Sequence, residues 1–585
     1  MYTTSSVFLK TLSDSGITHA FVNWGSDHPA LLEDLSRQGR ENGAQSSLNI
    51  ITCPNEMVAL SAAQGYAQVT GRPAVVIVHV DVGTQALAGA IHNLDRCRVP
   101  VLIYAGASPF TLEGELKGSR NEWIMWLQDI PDQSAIVRQY MRFTSQIYSG
   151  KNIAQVVTRA LQSANSEPKG PVYLWARREV MEEDVDGLIM KTSLSPKYWS
   201  PVDPVGLNPL AASTISQALT AAKSPLIITS YLGRNTRAVA LLNKLSKALA
   251  IPVFVSCPSV VNIPLDHSHF IGLSYGAEPN EWLRTADVVL VIDSDIPWIP
   301  MRNKPLKDAR IFHVDVDVLK DNIGMFHIDA ELRCRADAEV ALTQLLEGIR
   351  TPNLDSLSNR TAQIRQAREE NANMLQRLEN IVPVDGSITV PHMLSVLRKS
   401  IPSNTLVLNE AISNYALVWQ HLQTVASIPG MMITSGASSL GWGLGAAIGA
   451  SLGARENSLK HDLIVLIVGD GSFLFGVPSS AYWIARRYST PFLTIVLNNG
   501  GWKSPKLSLM GVHPGGMGST LSGQQLTVGF GPDPPDYSQI AVAAGGAWGK
   551  RVNEAADLRG TLSEAVNVVM NEKRCAVVDC VIESI

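Results

Sequence analysis

No CxxC pair occurs in this chain. Its six cysteines, Cys53, Cys97, Cys257, Cys334, Cys575 and Cys580, are scattered. That scatter disfavours zinc ligation and disulfides and reads as buried free thiols, which fits a cytoplasmic enzyme. Charge of one sign is not in excess. A formal net charge of −4 over 585 residues gives no reason to expect nucleic acid or an anionic membrane as partner. No run reads as a membrane span, because the longest low-charge stretch, 431–455, is interrupted by glycines and serines that suit close packing. No secretory or Arg-rich leader is seen; the first arginine is Arg37. No GxGxxG follows the first strand-like run of any segment, which disfavours a plain Rossmann dinucleotide protein.

What is present is a threefold rhythm of apolar β-branched run, Gly-rich turn and Ala-rich helix pattern. Residues 74–79, 225–229, 252–256, 288–292, 463–468, 492–497 and 576–582 read as strands between helical stretches. Apolar strands alternating with helices imply parallel sheets covered on both faces. The chain is too long for one core. Linkers at 193–209, rich in Pro and Ser, and 354–379, charged and helical in pattern, divide it. The expected fold is three doubly wound α/β domains, at 1–190, 205–350 and 380–585.

The strand at 463–468 ends in Gly469-Asp470-Gly471-Ser472, and the next ends in Asn498-Asn499-Gly500-Gly501. Ligands of open parallel sheets bind beyond the carboxyl ends of strands. A carboxylate and an amide oxygen at two such ends are hard ligands of the kind Mg²⁺ takes together with phosphate oxygens. The helix after Gly471 would turn its N-terminus to the same anion. Two ordinary turns would look the same one at a time; their joint placement after apolar strands is what suggests a metal–diphosphate site.

This pairing resembles the signature of thiamine-diphosphate enzymes. The resemblance implies that Asp470, Asn499 and the Gly501 carbonyl hold Mg²⁺, and that Gly471 and Ser472 face the diphosphate. Upstream, Leu408-Asn409-Glu410-Ala411-Ile412-Ser413-Asn414 resembles the diphosphate-binding segment of benzoylformate decarboxylase, with Asn409 and Ser413 toward the cofactor. The run 435–443 resembles the family's pyrimidine loop, with Leu440 as the wedge beneath the cofactor and the Ser438 carbonyl accepting from its amino group. In the first domain, Cys53-Pro54-Asn55-Glu56 and the small-residue helix after it resemble the family's glutamate helix. Glu56 is then the acid that activates the cofactor, whose chemistry the protein positions and tunes. Ser26 and His79 match the substrate-binding serine and active-site histidine of benzoylformate decarboxylase. A histidine can hold a carboxylate or move a proton. His92 falls mid-helix and reads as packing.

The chain also departs from the pattern. Gln85 and Ala86 replace a Gly-Asn pair, Asp81 has no counterpart, and Pro505 stands where pyruvate decarboxylases carry a catalytic Glu. Those enzymes also use an adjacent His pair, which this chain lacks. The resemblance implies decarboxylation of a 2-oxo acid, with protonation or carboligation of the enamine intermediate, an aldehyde or second 2-oxo acid being the acceptor. The rival readings are an acetolactate-synthase-like carboligase, an acyloin C–C lyase, and a non-catalytic cofactor-binding homologue. A homodimer or homotetramer with active sites at the subunit interface is implied. FAD in the middle domain is possible but not predicted, and Asp293-Ser294-Asp295 reads as a solvated strand-end turn. The Gly-rich stretch 511–531 reads as a structureless loop that closes over substrate.

Overall fold

A computed structural model describes the chain except residues 1, 42, 44, 45, 192, 193, 277, 351–353, 424, 457–460 and 585. The expected start of the first linker, Ser193, therefore lies outside the described residues.

Three six-stranded, wholly parallel sheets carry the fold. Across the first, the strands run in the order Asn49–Thr52, His19–Val22, Ala74–Val78, Val101–Ala107, Val172–Arg177 and Phe143–Gln146. The middle sheet runs Phe270–Ser274, Val253–Ser256, Pro225–Thr229, Val288–Ile292, Arg310–Asp315 and Leu332–Arg335. The third runs Met432–Thr434, Thr405–Glu410, Leu463–Gly469, Leu493–Asn498, Ala576–Val581 and Trp548–Val552. The central strands Ala74–Val78 and Val288–Ile292 are buried along their whole length, as a sheet covered on both faces requires. In each sheet the chain order reverses between two central strands, leaving a crevice at their carboxyl ends. These crevices lie between His19–Val22 and Ala74–Val78, between Pro225–Thr229 and Val288–Ile292, and between Thr405–Glu410 and Leu463–Gly469.

The first and third domains share an apolar core. The helix Glu56–Thr70 packs along the helix Trp442–Glu456, and glycines let the two backbones meet. A Cβ on Gly449 would stand 1.8 Å from Ala62 O, and one on Gly65 2.2 Å from Ala446 O. Gly445 lies over Val58 and Ser61 and Gly453 against Thr70, so the helices run in the same direction. Their N-termini are therefore side by side. Gly449→Ala would overpack this contact, at about 1–3 kcal/mol. Close packing, not lipid exposure, thus accounts for the glycines of 431–455. Among the described residues no helix is long and apolar enough to cross a membrane.

Two elements differ from expectation. The helical stretch expected at 86–96 is two helices, Val80–Ala86 and Ala88–Arg96, and begins directly after His79. The Gly-rich stretch near 511–531 is not structureless. The helix Lys503–Val512 leads into it, a 3-10 turn spans Met517–Thr520, and Gly501 pairs with Gly529 at its base. Trp502 N–H donates to Val528 O at 2.9 Å and Phe530 N–H to Gly500 O at 2.8 Å, so the segment is a flap with a stapled base. Backbone pairing across its two ends is a long-range feature that local composition does not reveal.

Candidate functional site

In the third sheet the crevice holds an oxygen cluster. Asp470 opens a short helix, Asp470–Phe475, straight off its strand. Its Oδ1 accepts from Gly471 N–H at 2.7 Å and its Oδ2 from Gly501 N–H at 2.9 Å. Gly500, at φ 80°, makes the reversal that brings Gly501 back toward Asp470. Asn498 turns away and donates to Asp579 at 2.9 Å. Asn499 turns inward: its amide oxygen lies 2.7 Å from Gly501 O and 3.2 Å from Asp470 Oδ2. Acceptors facing acceptors require either a reversed amide that donates to both, or a cation between them. The set is one carboxylate, one amide and one carbonyl, hard oxygens suited to Mg²⁺. Burial pushes the Asp470 carboxyl up to about 6, against four backbone N–H donors.

Around it, Gly471 is covered by Trp502; a Cβ there would stand 2.6 Å from the indole Nε1. Ser472 is buried. Ser413 is exposed on the 3-10 turn Ile412–Asn414, against which the flap helix Lys503–Val512 rests. Asn409 is fully buried and held locally, accepting from Ala411 N–H at 3.1 Å. Its neighbour Glu410, unremarked in the sequence, is the residue aimed at the pyrimidine-type loop. It accepts from the N–H groups of Gly441, Trp442 and Gly443 at 2.6, 3.1 and 2.7 Å. Burial pushes its carboxyl up to about 7. Leu440, half-buried, and Ser438, exposed, lie on that loop. The Ser438 hydroxyl is 3.2 Å from His92 Nε2, and Asn93 exchanges hydrogen bonds with the Ser439 backbone at 2.8 and 3.0 Å. The Leu440 loop thus sits against the first domain.

At the first sheet's crevice stands Glu56. Asn55 caps its helix, accepting from Val58 N–H at 3.1 Å. Asn23, at the end of the neighbouring strand, donates to Glu56 Oε1 at 2.9 Å. A Cβ on Gly83 would lie 3.2 Å from the same oxygen. His79 caps the helix that carries Gly83, and its Nδ1 is hydrogen-bonded to Asp27. Ser26 Oγ is buried without a partner among the described residues, while its carbonyl accepts from Arg178 at 3.1 Å. The structure gathers Glu56, Ser26 and His79 at one crevice and Asp470, Asn499 and Gly501 at another. The parallel helices bring Glu56 and the Leu440 loop to the same end. Asn23, Asp27 and Glu410 were not singled out from sequence. Asn23 and Asp27 are 33 and 52 residues from their partners, a separation no local pattern reports.

The middle crevice is filled by protein. Ser230 and Ser294 hydroxyls meet across it at 2.7 Å. Arg98, from the first domain, reaches Asp315 at 3.1 Å and Asp295 at 3.2 Å and stacks on Tyr231. The fully buried Lys320 bonds Asp315 and Tyr231 at 2.6 Å each. Burial would raise the Asp315 carboxyl, but Arg98 and Lys320 outweigh it and hold it far below its ordinary range. Burial and the Asp315 charge push Asp293 up to about 7. The turn expected to be solvated is therefore a buried ion network, because Arg98 arrives from another domain. A flavin diphosphate placed there would meet carboxylates whose cations are already engaged, so these residues do not fit it.

Comparison with known proteins identifies the family. The family models for thiamine pyrophosphate enzymes match in three parts: the N-terminal TPP binding domain at 2–136, the central domain at 212–345 and the C-terminal TPP binding domain at 411–580. The chain belongs to the thiamine-diphosphate enzyme superfamily and is an enzyme of its C–C lyase and transferase group. Benzoylformate decarboxylase of Pseudomonas aeruginosa is 23% identical over 86% of each chain. Acetolactate synthase of Bacillus subtilis is 24% identical, over 85% of this chain and 81% of that one. The crystal structure of benzoylformate decarboxylase from Polynucleobacter necessarius superposes with a TM-score of 0.76 at 18% identity, covering 100% of this chain and 99% of that one.

Proposed function

We propose that this enzyme decarboxylates a 2-oxo acid in a reaction dependent on thiamine diphosphate and Mg²⁺, and passes the product either to a proton, giving an aldehyde, or to a second carbonyl. The observation that carries the reading is that one chain holds both halves of such a site: Glu56 at a helix N-terminus in the first crevice, held by Asn23, and the Asp470–Asn499–Gly501 oxygen cluster at the strand ends of the third sheet. The bound cofactor would supply the carbanion that attacks the 2-oxo group and the electron sink as CO₂ leaves.

The chain's own residues do the rest. Asp470, Asn499 and Gly501 O would hold the cation, and Ser413, Gly471 and Ser472 would face the diphosphate. Ser438 and Leu440 would meet the pyrimidine end. Glu56, held through one oxygen by Asn23, would exchange a proton with a ring nitrogen through the other. Ser26 and His79, one crevice wall away, would orient the acid's carboxylate. The flap at 503–528, stapled at its base over Gly471, would exclude water. Its Trp502 and Lys503 stand where substrate choice would be made.

Carboligation is the second reading, supported by a synthase and a decarboxylase matching about equally well. Six free thiols support a cytoplasmic location. A homodimer or homotetramer is supported by the exposed Phe110, Leu112, Trp123, Trp126 and Leu127, apolar side chains close in sequence that a second copy would cover. The deciding experiment is CO₂ release from pyruvate, branched and aromatic 2-oxo acids, with thiamine diphosphate and Mg²⁺ added, and product analysis for aldehyde against acyloin. CO₂ with aldehyde supports decarboxylase action and acyloin supports ligation. No CO₂ from any acid, with cofactor shown bound by calorimetry, overturns the reading.

A further inference from the structure

Asp27 lies at the bottom of the first crevice with its side chain only 2% exposed. Two hydrogen bonds hold it, and a second ring lies close. His79 Nδ1 is bonded to its Oδ1, and Val80 N–H donates to its Oδ2 at 3.2 Å. His28 Nε2 stands 3.3 Å from Oδ2. Gly25 N–H donates to His28 Nδ1 at 3.1 Å, so the proton of a neutral His28 is on Nε2, which stands near Asp27 without hydrogen-bonding it. Burial holds His28 below its ordinary value and hence neutral.

The backbone is cleared for this arrangement. A Cβ on Gly106 would stand 1.7 Å from Asp27 Oδ2, and a Cβ on Gly25 2.0 Å from His79 Nδ1. Burial would raise the Asp27 carboxyl, but His28, His79 and Val80 N–H outweigh it and hold it below the ordinary value. Burial would lower His79, but Asp27 outweighs it, with Gln128 and Asp81 adding, and the imidazole is held above its ordinary value. The groups facing the pair are His28, Asp81 one turn into the next helix, Tyr104 on the strand Val101–Ala107, Tyr173 on the strand Val172–Arg177, Arg178 at the Ser26 carbonyl, and the Gln128 side chain, which hydrogen-bonds the His79 ring.

We propose that Asp27 is the positioning residue of His79: it fixes the ring with Nδ1 bonded inward and leaves Nε2 as the nitrogen available to the 2-oxo acid. This rests on the reading of His79 as a site residue. A free imidazole favours the proton on Nε2, so an Asp27-bound ring has a distinct signature, Nδ1–H with a bare Nε2 once neutral.

The test is ¹⁵N spectroscopy of imidazole-labelled full-length enzyme reconstituted with thiamine diphosphate and Mg²⁺, the His79 signals being assigned with His79→Gln. In the wild type, Nδ1 should stay protonated from pH 5 to 9 while Nε2 titrates above the ordinary histidine value. In Asp27→Asn the titration should fall by about one pH unit or more, the usual reach of an adjacent carboxylate. The alkaline limb of kcat/KM for pyruvate or benzoylformate, whichever is turned over, should move down with it. A wild-type His79 that loses its Nδ1 proton by pH 9 overturns the proposal without recourse to a variant. So does a titration unmoved in Asp27→Asn. If the ring titration moves and the kcat/KM profile does not, the Asp27–His79 pair stands and the placement of His79 at the substrate falls.

Discussion

The crevices of the third and middle sheets are built alike and hold opposite contents. Both lie where the strand order reverses, and both carry carboxylates at strand ends. In the middle sheet Asp315 meets Arg98 and Lys320 and stays ionised. In the third, Asp470 and Glu410 accept from backbone N–H groups and have no ion-pair partner among the described residues, and burial pushes them up to about 6 and about 7. One set of charges is balanced from within the chain, whereas the other is short of positive charge. A crevice that satisfies itself becomes a joint between domains, and one that does not becomes a place for a cation and its ligand. The same fold therefore gives a structural plug in one sheet and a candidate site in the other.

The largest effect should come from the acid that gives the open crevice its chemistry. Glu56→Gln keeps the shape and the Asn23 contact but cannot exchange a proton as a carboxylate does. Turnover should drop by about 10²–10⁴-fold, with thiamine diphosphate affinity by calorimetry little changed. Full turnover at saturating cofactor would remove Glu56 from the mechanism.

Next, the two crevices should separate under mutation. Arg98→Met leaves Asp315 buried with one of its two cations gone, a loss of about 3–5 kcal/mol. Thermal unfolding should show it, while the folded fraction still binds thiamine diphosphate and Mg²⁺. Asp470→Asn should do the reverse, weakening Mg²⁺-dependent cofactor binding by tenfold or more, about 1.4 kcal/mol, with the melting temperature of the cofactor-free protein kept. If Arg98→Met instead abolished cofactor binding at full stability, the plug would be a ligand site. Added FAD should leave no flavin absorbance on the desalted protein; retention of one flavin per chain would show that the middle crevice opens.

The sequence made one side of this comparison legible and left the other dark. The strand-end motifs Gly469-Asp470-Gly471 and Asn498-Asn499 are local, so their convergence follows from a parallel sheet alone. Glu56 was readable because its whole helix is built of small residues, the ones that let it meet the helix Trp442–Glu456. Asp293-Ser294-Asp295 looked solvated because Arg98, which helps bury the turn, is about two hundred positions away and in another domain. Asp27 and Asn23 escaped for the same reason, their partners arriving from the next strand and helix. Glu410 sits beside Asn409 in the motif, but the sheet pairing and the loop 441–443 are needed to see which of the two is turned toward the site. Local chemistry at strand ends was legible; charge balance across domains was not.

The smallest effect concerns Glu410, whose environment is the counterpart of that of Asp315. With N–H donors and no cation, its carboxyl rises from an ordinary 4.5 to about 7 in the fold. A raised folded value means that the folded state holds the proton more tightly than the unfolded chain does. The stability this contributes is complete below about pH 4.5, declines as the pH rises, and is gone above about 7. Between pH 6 and 8 the loss should be about 1 kcal/mol, a shift of a few degrees in melting temperature. Glu410→Gln is neutral throughout and should lack this slope. The difference between wild-type and variant melting temperatures should therefore drift in the variant's favour as the pH rises from 6 to 8. Parallel curves would mean that the three N–H groups of Gly441, Trp442 and Gly443 suffice to hold an ionised carboxylate, and that the third crevice is not short of positive charge at Glu410. Asp470 alone would then mark where the cation belongs.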